Sequence, residues 1–89
     1  AALEVFEKTT KLGEEVGELC EAVLAQFGRI RMKETTGTPL EEGVDVILMV
    51  TDILSACYPE LSGEELMDEI GVMLIQKKTK WRNMMEIPE

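Results

Sequence analysis

Histidine is missing from all 89 residues, and cysteine occurs only twice, as Cys20 and Cys57, with no CxxC spacing. Two thiols without a histidine cannot complete a structural zinc site, and the carboxylate-bridged di-iron arrangement, which needs Glu-x-x-His, is excluded too. Both cysteines fall at apolar helical positions and read as reduced core thiols. No apolar run approaches the roughly 18 residues of a membrane span. No charged-then-apolar leader is visible, so the chain reads as neither membrane-spanning nor evidently secreted, with the cytoplasm as its expected compartment. Basic residues are scarce, 9 against 18 acids, for a net charge of −9. That balance disfavours nucleic acid and anionic membranes as partners, and a polyanionic substrate needs cations or a local basic patch to bind. Strand alternation, internal repeats, low-complexity tracts and interdomain linkers are also missing.

What is present, 45% hydrophobic and 30% charged residues with 4% aromatic, is the composition of a soluble helical protein. One domain of this length buries only about 60–65% of its unfolded surface. Self-association is therefore expected. The sequence opens at Ala1 without methionine and already in helical pattern, so residues 1–89 read as a single domain that lacks an N-terminal segment.

From Leu3 to Phe27 there is no proline, and Leu12, Val16, Leu19, Cys20, Val23 and Phe27 recur at helical spacing with Leu24 at the margin. The poor helix formers Thr9, Thr10 and Gly13 predict a break before the main helix, and Gly28 a C-terminal cap. Residues 28–38, with Thr35-Thr36-Gly37, have no period and read as a connecting loop. Thr38-Pro39-Leu40-Glu41 is a start signal, with threonine at N-cap, proline at the first helical position and glutamate at the third. The helix it begins should end near Cys57, ahead of Pro59. Ser62-Gly63-Glu64-Glu65 is a second capping box, opening a third helix through Leu66, Ile70, Met73, Leu74, Lys77 and Trp81 that frays from Met84 to Glu89.

The central helix carries the chemistry. Leu40, Val44, Ile47, Val50, Ile53 and Leu54, extended by Leu48 and Met49, form so broad an apolar arc that the helix should be largely buried. Glu42, Asp45 and Asp52 crowd the narrow remaining sector, in or beside the core. Buried carboxylates are costly unless protonated, paired with bases or bound to a cation. On the first helix Glu15 and Glu18 are three residues apart, about 60° around the axis, and Glu42 and Asp45 repeat that spacing. On antiparallel helices these pairs bring four carboxylates together as an all-oxygen site suited to Mg²⁺ or Mn²⁺, which relieves their repulsion. ExxE is common on solvated helix faces, so the first pair alone says little. Asp45 after Glu42, inside a mostly apolar helix, says more. Glu14 and Glu21 point further from the apolar stripe and read as solvated.

Lys11-Leu12-Gly13-Glu14-Glu15-Val16-Gly17-Glu18-Leu19-Cys20-Glu21-Ala22, followed by Glu42-Gly43-Val44-Asp45 with 23 residues between Glu18 and Glu42, resembles the EExxE…ExxD signature of the MazG-like all-α nucleoside triphosphate pyrophosphohydrolases. The resemblance covers nearly the whole chain. It implies an antiparallel helical bundle completed as a homodimer or homotetramer, and Mg²⁺-dependent cleavage of a nucleoside triphosphate to the monophosphate and pyrophosphate. Glu15, Glu18, Glu42 and Asp45 would be the magnesium ligands. Glu14 matches the first glutamate of the signature, and Glu14 or Glu18 is the candidate to orient or deprotonate the attacking water.

The third helix gathers Lys77, Lys78, Lys80 and Arg82 beside Asn83, a cluster that also complements a helix C-terminus. The resemblance implies triphosphate contacts from Lys77, Lys80 and Asn83. Trp81, the only tryptophan, reads as a packing or interface residue, and Met49, Met67 and Met73 as core filler. The nearest enzyme alternative is a phosphoribosyl-ATP pyrophosphohydrolase, a related all-α family with similar paired acids. From another class, the chain reads as an acidic helical module that binds a basic protein partner without catalysis.

Overall fold

A computed structural model describes residues 2–33 and 36–85. Thr35 of the expected loop and residues 86–89 of the expected frayed end lie outside them. Three helices follow in order, α1 (Ala2–Gln26), α2 (Pro39–Cys57) and α3 (Gly63–Met85), with no strand among the described residues.

Local bonds set the helix ends. The Gly28 amide donates to Ala25 O at 3.1 Å and the Arg29 amide to Leu24 O at 2.8 Å, closing α1 with Gly28 at φ 69°. Both bonds fit a Schellman cap, where glycine takes the left-handed position without a Cβ penalty. At the start of α2 the Glu41 amide donates to Thr38 Oγ1 at 3.1 Å and the Thr38 amide to Glu41 Oε1 at 3.2 Å. Ser62 and Glu65 repeat this reciprocal box before α3, at 3.1 and 3.0 Å. The backbone bond from Ser62, and then its hydroxyl bond, hold the Glu65 carboxyl below the usual glutamate range.

The break expected at Thr9, Thr10 and Gly13 does not occur, and α1 is continuous. The Thr9 and Thr10 hydroxyls donate to the carbonyls of Val5 and Phe6, at 2.9 and 3.1 Å, so they are satisfied inside the helix rather than competing with it.

The chain forms two compact units that divide after Cys57. In the first, α1 packs on α2. The less exposed positions of α1 are Val5, Lys8, Leu12, Glu15, Leu19, Ala22 and Ala25, each three or four residues from the next, and those of α2 include Glu42, Gly43, Val46, Met49 and Ile53. That period keeps one seam of each helix against its neighbour.

Two expectations are corrected here. The central helix has no buried residue, and Leu40 (78%), Ile47 (64%) and Leu48 (61%) are largely exposed. Within this unit α1 covers a strip of α2 narrower than its apolar arc. Cys20 and Cys57 are exposed free thiols, not core thiols: Cys20 stands beside the seam residue Leu19, and Cys57 is the last residue of α2. In the second unit the basic residues of α3 and Trp81 are exposed, as are Met67 and Met73. Among the described residues no helix is long and apolar enough to cross a membrane.

Candidate metal centre

Glu15 occupies a seam position of α1 between Leu12 and Leu19, and only 8% of it is exposed. Glu18 lies one turn further on, exposed. Glu42 reaches the same place from the first turn of α2, where its amide donates to Thr38 O at 3.0 Å. One carboxylate oxygen from each of Glu15, Glu18 and Glu42 lies within 4.8 Å of the other two. The Oε2 of Glu42 is buried and has no hydrogen-bond partner among the described residues. A buried acceptor without a partner forfeits its hydration, at a cost of about 1–3 kcal/mol or more for a charged group.

These donors fit a hard divalent cation. At the 2.0–2.1 Å bond length of Mg²⁺, ligand oxygens stand about 2.9 Å apart when adjacent and about 4.2 Å when opposite. Three oxygens within 4.8 Å of one another can close onto that geometry by rotation of the glutamate side chains. With no histidine or thiolate in the group, a softer metal has no preferred ligand there. Three glutamates so placed can hold a metal ion.

Asp45, three residues beyond Glu42, is exposed and stands outside the group of three, and Asp52 is exposed as well. The acids that enter the helix seam are therefore Glu15 of α1 and Glu42 of α2, whereas Asp45 and Asp52, expected beside the core together with Glu42, are exposed. Glu14 is exposed. Lys77, Lys80 and Asn83 are exposed on α3, in the second unit.

Two neighbours of the cluster escaped the reading of the sequence. Lys11 Nζ lies 3.4 Å from Glu14 Oε2 and 3.5 Å from Glu15 Oε1. The hydrogen bond to Glu14 and then its charge, followed by the charge of Glu15, hold the ammonium above the usual lysine range. Lys11 thus partly compensates the buried Glu15, and its spacing to both acids, three and four residues along a helix, was the available signal. The second neighbour is the loop before α2. Thr36 and Gly37 line a pocket of about 180 Å³ together with Glu18, Glu21 and Glu42. Glu21, read as merely solvated, thus borders the same pocket. Comparison with protein-family models, curated proteins and solved structures finds no match for this chain.

Proposed function

We propose that this chain is a Mg²⁺-dependent nucleoside triphosphate pyrophosphohydrolase of MazG-like architecture, cleaving (d)NTP to (d)NMP and pyrophosphate in cytoplasmic nucleotide-pool house-cleaning. The observation that carries this reading is the convergence of Glu15, Glu18 and Glu42 within 4.8 Å across two helices, with a buried oxygen of Glu42 left unpartnered. Glu15 lies in the helix seam and Glu42 has a buried oxygen there, which distinguishes the group from a solvated acidic face.

In this reading Glu15, Glu18 and Glu42 hold the cation, and the resemblance adds Asp45 as a fourth ligand. When bound, Mg²⁺ neutralises the phosphates, activates a water and stabilises the leaving pyrophosphate. Glu14 or Glu18 is the candidate to orient the water and accept its proton, and Lys11 Nζ lies 3.4 Å from the Glu14 carboxylate. Lys77, Lys80 and Asn83 are assigned to the phosphate chain by the same resemblance. The exposed apolar side chains Leu40, Val44, Ile47 and Leu48 of α2 support assembly as a homodimer or homotetramer.

The test is product analysis after incubation with canonical and modified nucleoside triphosphates and with phosphoribosyl-ATP. Preferred turnover of phosphoribosyl-ATP would assign the chain to that related activity. An acidic binding module would give no turnover, and Mg²⁺ would leave its melting temperature unchanged.

A further inference from the structure

Resting on the reading of Glu42 as a metal ligand, we propose that Gly37 is a positioning residue for the site, because the space of its missing side chain is where the Glu42 carboxylate sits. A Cβ built on Gly37 would overlap Glu42 Oε1 and stand 3.1 Å from Cδ and 3.4 Å from Cγ. Its three nearest neighbours all belong to that one side chain. By contrast, a Cβ on Gly13, Gly17 or Gly43, in the helices that carry the acids, would meet nothing within 4 Å.

The backbone does not explain the glycine. Gly28 is the glycine with positive φ among the described residues, so the conformation at residue 37 is open to any L-amino acid. What residue 37 cannot carry without consequence is volume. The backbone of Glu42 is anchored by its bond to Thr38 O at 3.0 Å, and the Thr38–Glu41 capping box fixes where α2 begins. What the added methyl meets is then the free end of the Glu42 side chain. Restoring ordinary contact would move its carboxylate by on the order of 1 Å. That movement costs the fold little, since it displaces the free end of a flexible side chain. For a Mg²⁺ ligand the added methyl matters, because it takes the space in which the Glu42 carboxylate faces Glu15 and Glu18, and the ion demands near-ideal octahedral geometry.

The test is calorimetric titration of Mg²⁺ into the whole chain and into its Gly37→Ala, Glu42→Gln and Gly37→Ala/Glu42→Gln variants, with melting followed in excess chelator. Gly37→Ala should melt within a few degrees of the parent without metal, yet bind Mg²⁺ about tenfold or more weakly, the scale of a lost supporting contact. Added to Glu42→Gln, it should cost no further affinity, whereas a general structural effect would appear in both backgrounds. Mg²⁺ uptake by the parent with equal affinity in Gly37→Ala overturns this inference and leaves the metal reading standing. A Gly37→Ala chain that fails to melt cooperatively also overturns it, since the added methyl would then be meeting more than a flexible side chain. A parent that takes up no Mg²⁺ overturns the metal reading and the inference with it.

Discussion

Lys8 Nζ lies 3.1 Å from Asp52 Oδ2, and this pair shares one antiparallel register with the acidic cluster, since ten residues separate Lys8 from Glu18 on α1 and ten separate Glu42 from Asp52 on α2. Ten residues of helix are about 15 Å. The ion pair thus marks one end of a seam whose other end is the cluster. Its energetic share should be small, because the Asp52 side chain is 53% exposed and solvent screens the attraction. A double-mutant cycle of Lys8→Met and Asp52→Asn in urea should return a coupling of about 0.2–1 kcal/mol, falling in 1 M salt. A larger, salt-insensitive coupling would show the pair to be a structural anchor.

Gly13 lies in the interior of a continuous α1, exposed, with open space where a Cβ would be. Gly13→Ala should therefore stabilise the chain by about 0.5–1 kcal/mol in denaturant unfolding, through the lost backbone entropy of glycine. Destabilisation would mean that this face of α1 is covered by a neighbour.

Glu65 is depressed below the usual glutamate range by its bonds to Ser62, so its ionised form favours the folded start of α3. That contribution is present above the ordinary glutamate value and is lost as pH falls through the lowered folded value. Carboxyl ¹³C titration should place the Glu65 midpoint below the ordinary range, and Ser62→Ala should return it upward. A midpoint unmoved by Ser62→Ala would remove the capping box as its cause.

The helix ends are legible in the sequence because the bonds that make them are local. Thr38 with Glu41, Ser62 with Glu65, and Gly28 with the last turn of α1 each act within a few residues. The reach of Glu15 and Glu18 along one helix is legible for the same reason. What periodicity does not contain is which strip of a broad apolar arc a neighbour will cover. Leu40, Ile47 and Leu48 belong to the arc of α2 yet lie outside the seam, and Asp45 and Asp52 go with them to the exposed side. The break drawn at Thr9 and Thr10 came from propensity, which counts their hydroxyls as competitors, whereas here they bond within the helix. The fit of Gly37 to Glu42 depends on where the loop passes over α2, and spacing along the chain says nothing about that.

Mg²⁺ should raise the melting temperature by mass action, the gain in stability reaching about 2.7 kcal/mol at a hundredfold excess over Kd. Glu42→Gln should abolish most of that rise and make the metal-free chain more stable, because a half-buried carboxylate with one buried, unpartnered oxygen becomes neutral. Asp45→Asn should leave metal-free melting unchanged, since the side chain is exposed, and weaken the Mg²⁺ response about tenfold if Asp45 is the fourth ligand. An unchanged response in Asp45→Asn would confine the site to the three glutamates.

The most direct test of the proposed activity is ³¹P NMR of a nucleoside triphosphate incubated with the chain and Mg²⁺. Monophosphate and pyrophosphate signals should grow with no orthophosphate, be arrested by excess chelator and be lost in Glu42→Gln. Diphosphate with orthophosphate, or turnover that persists in chelator, would contradict that activity.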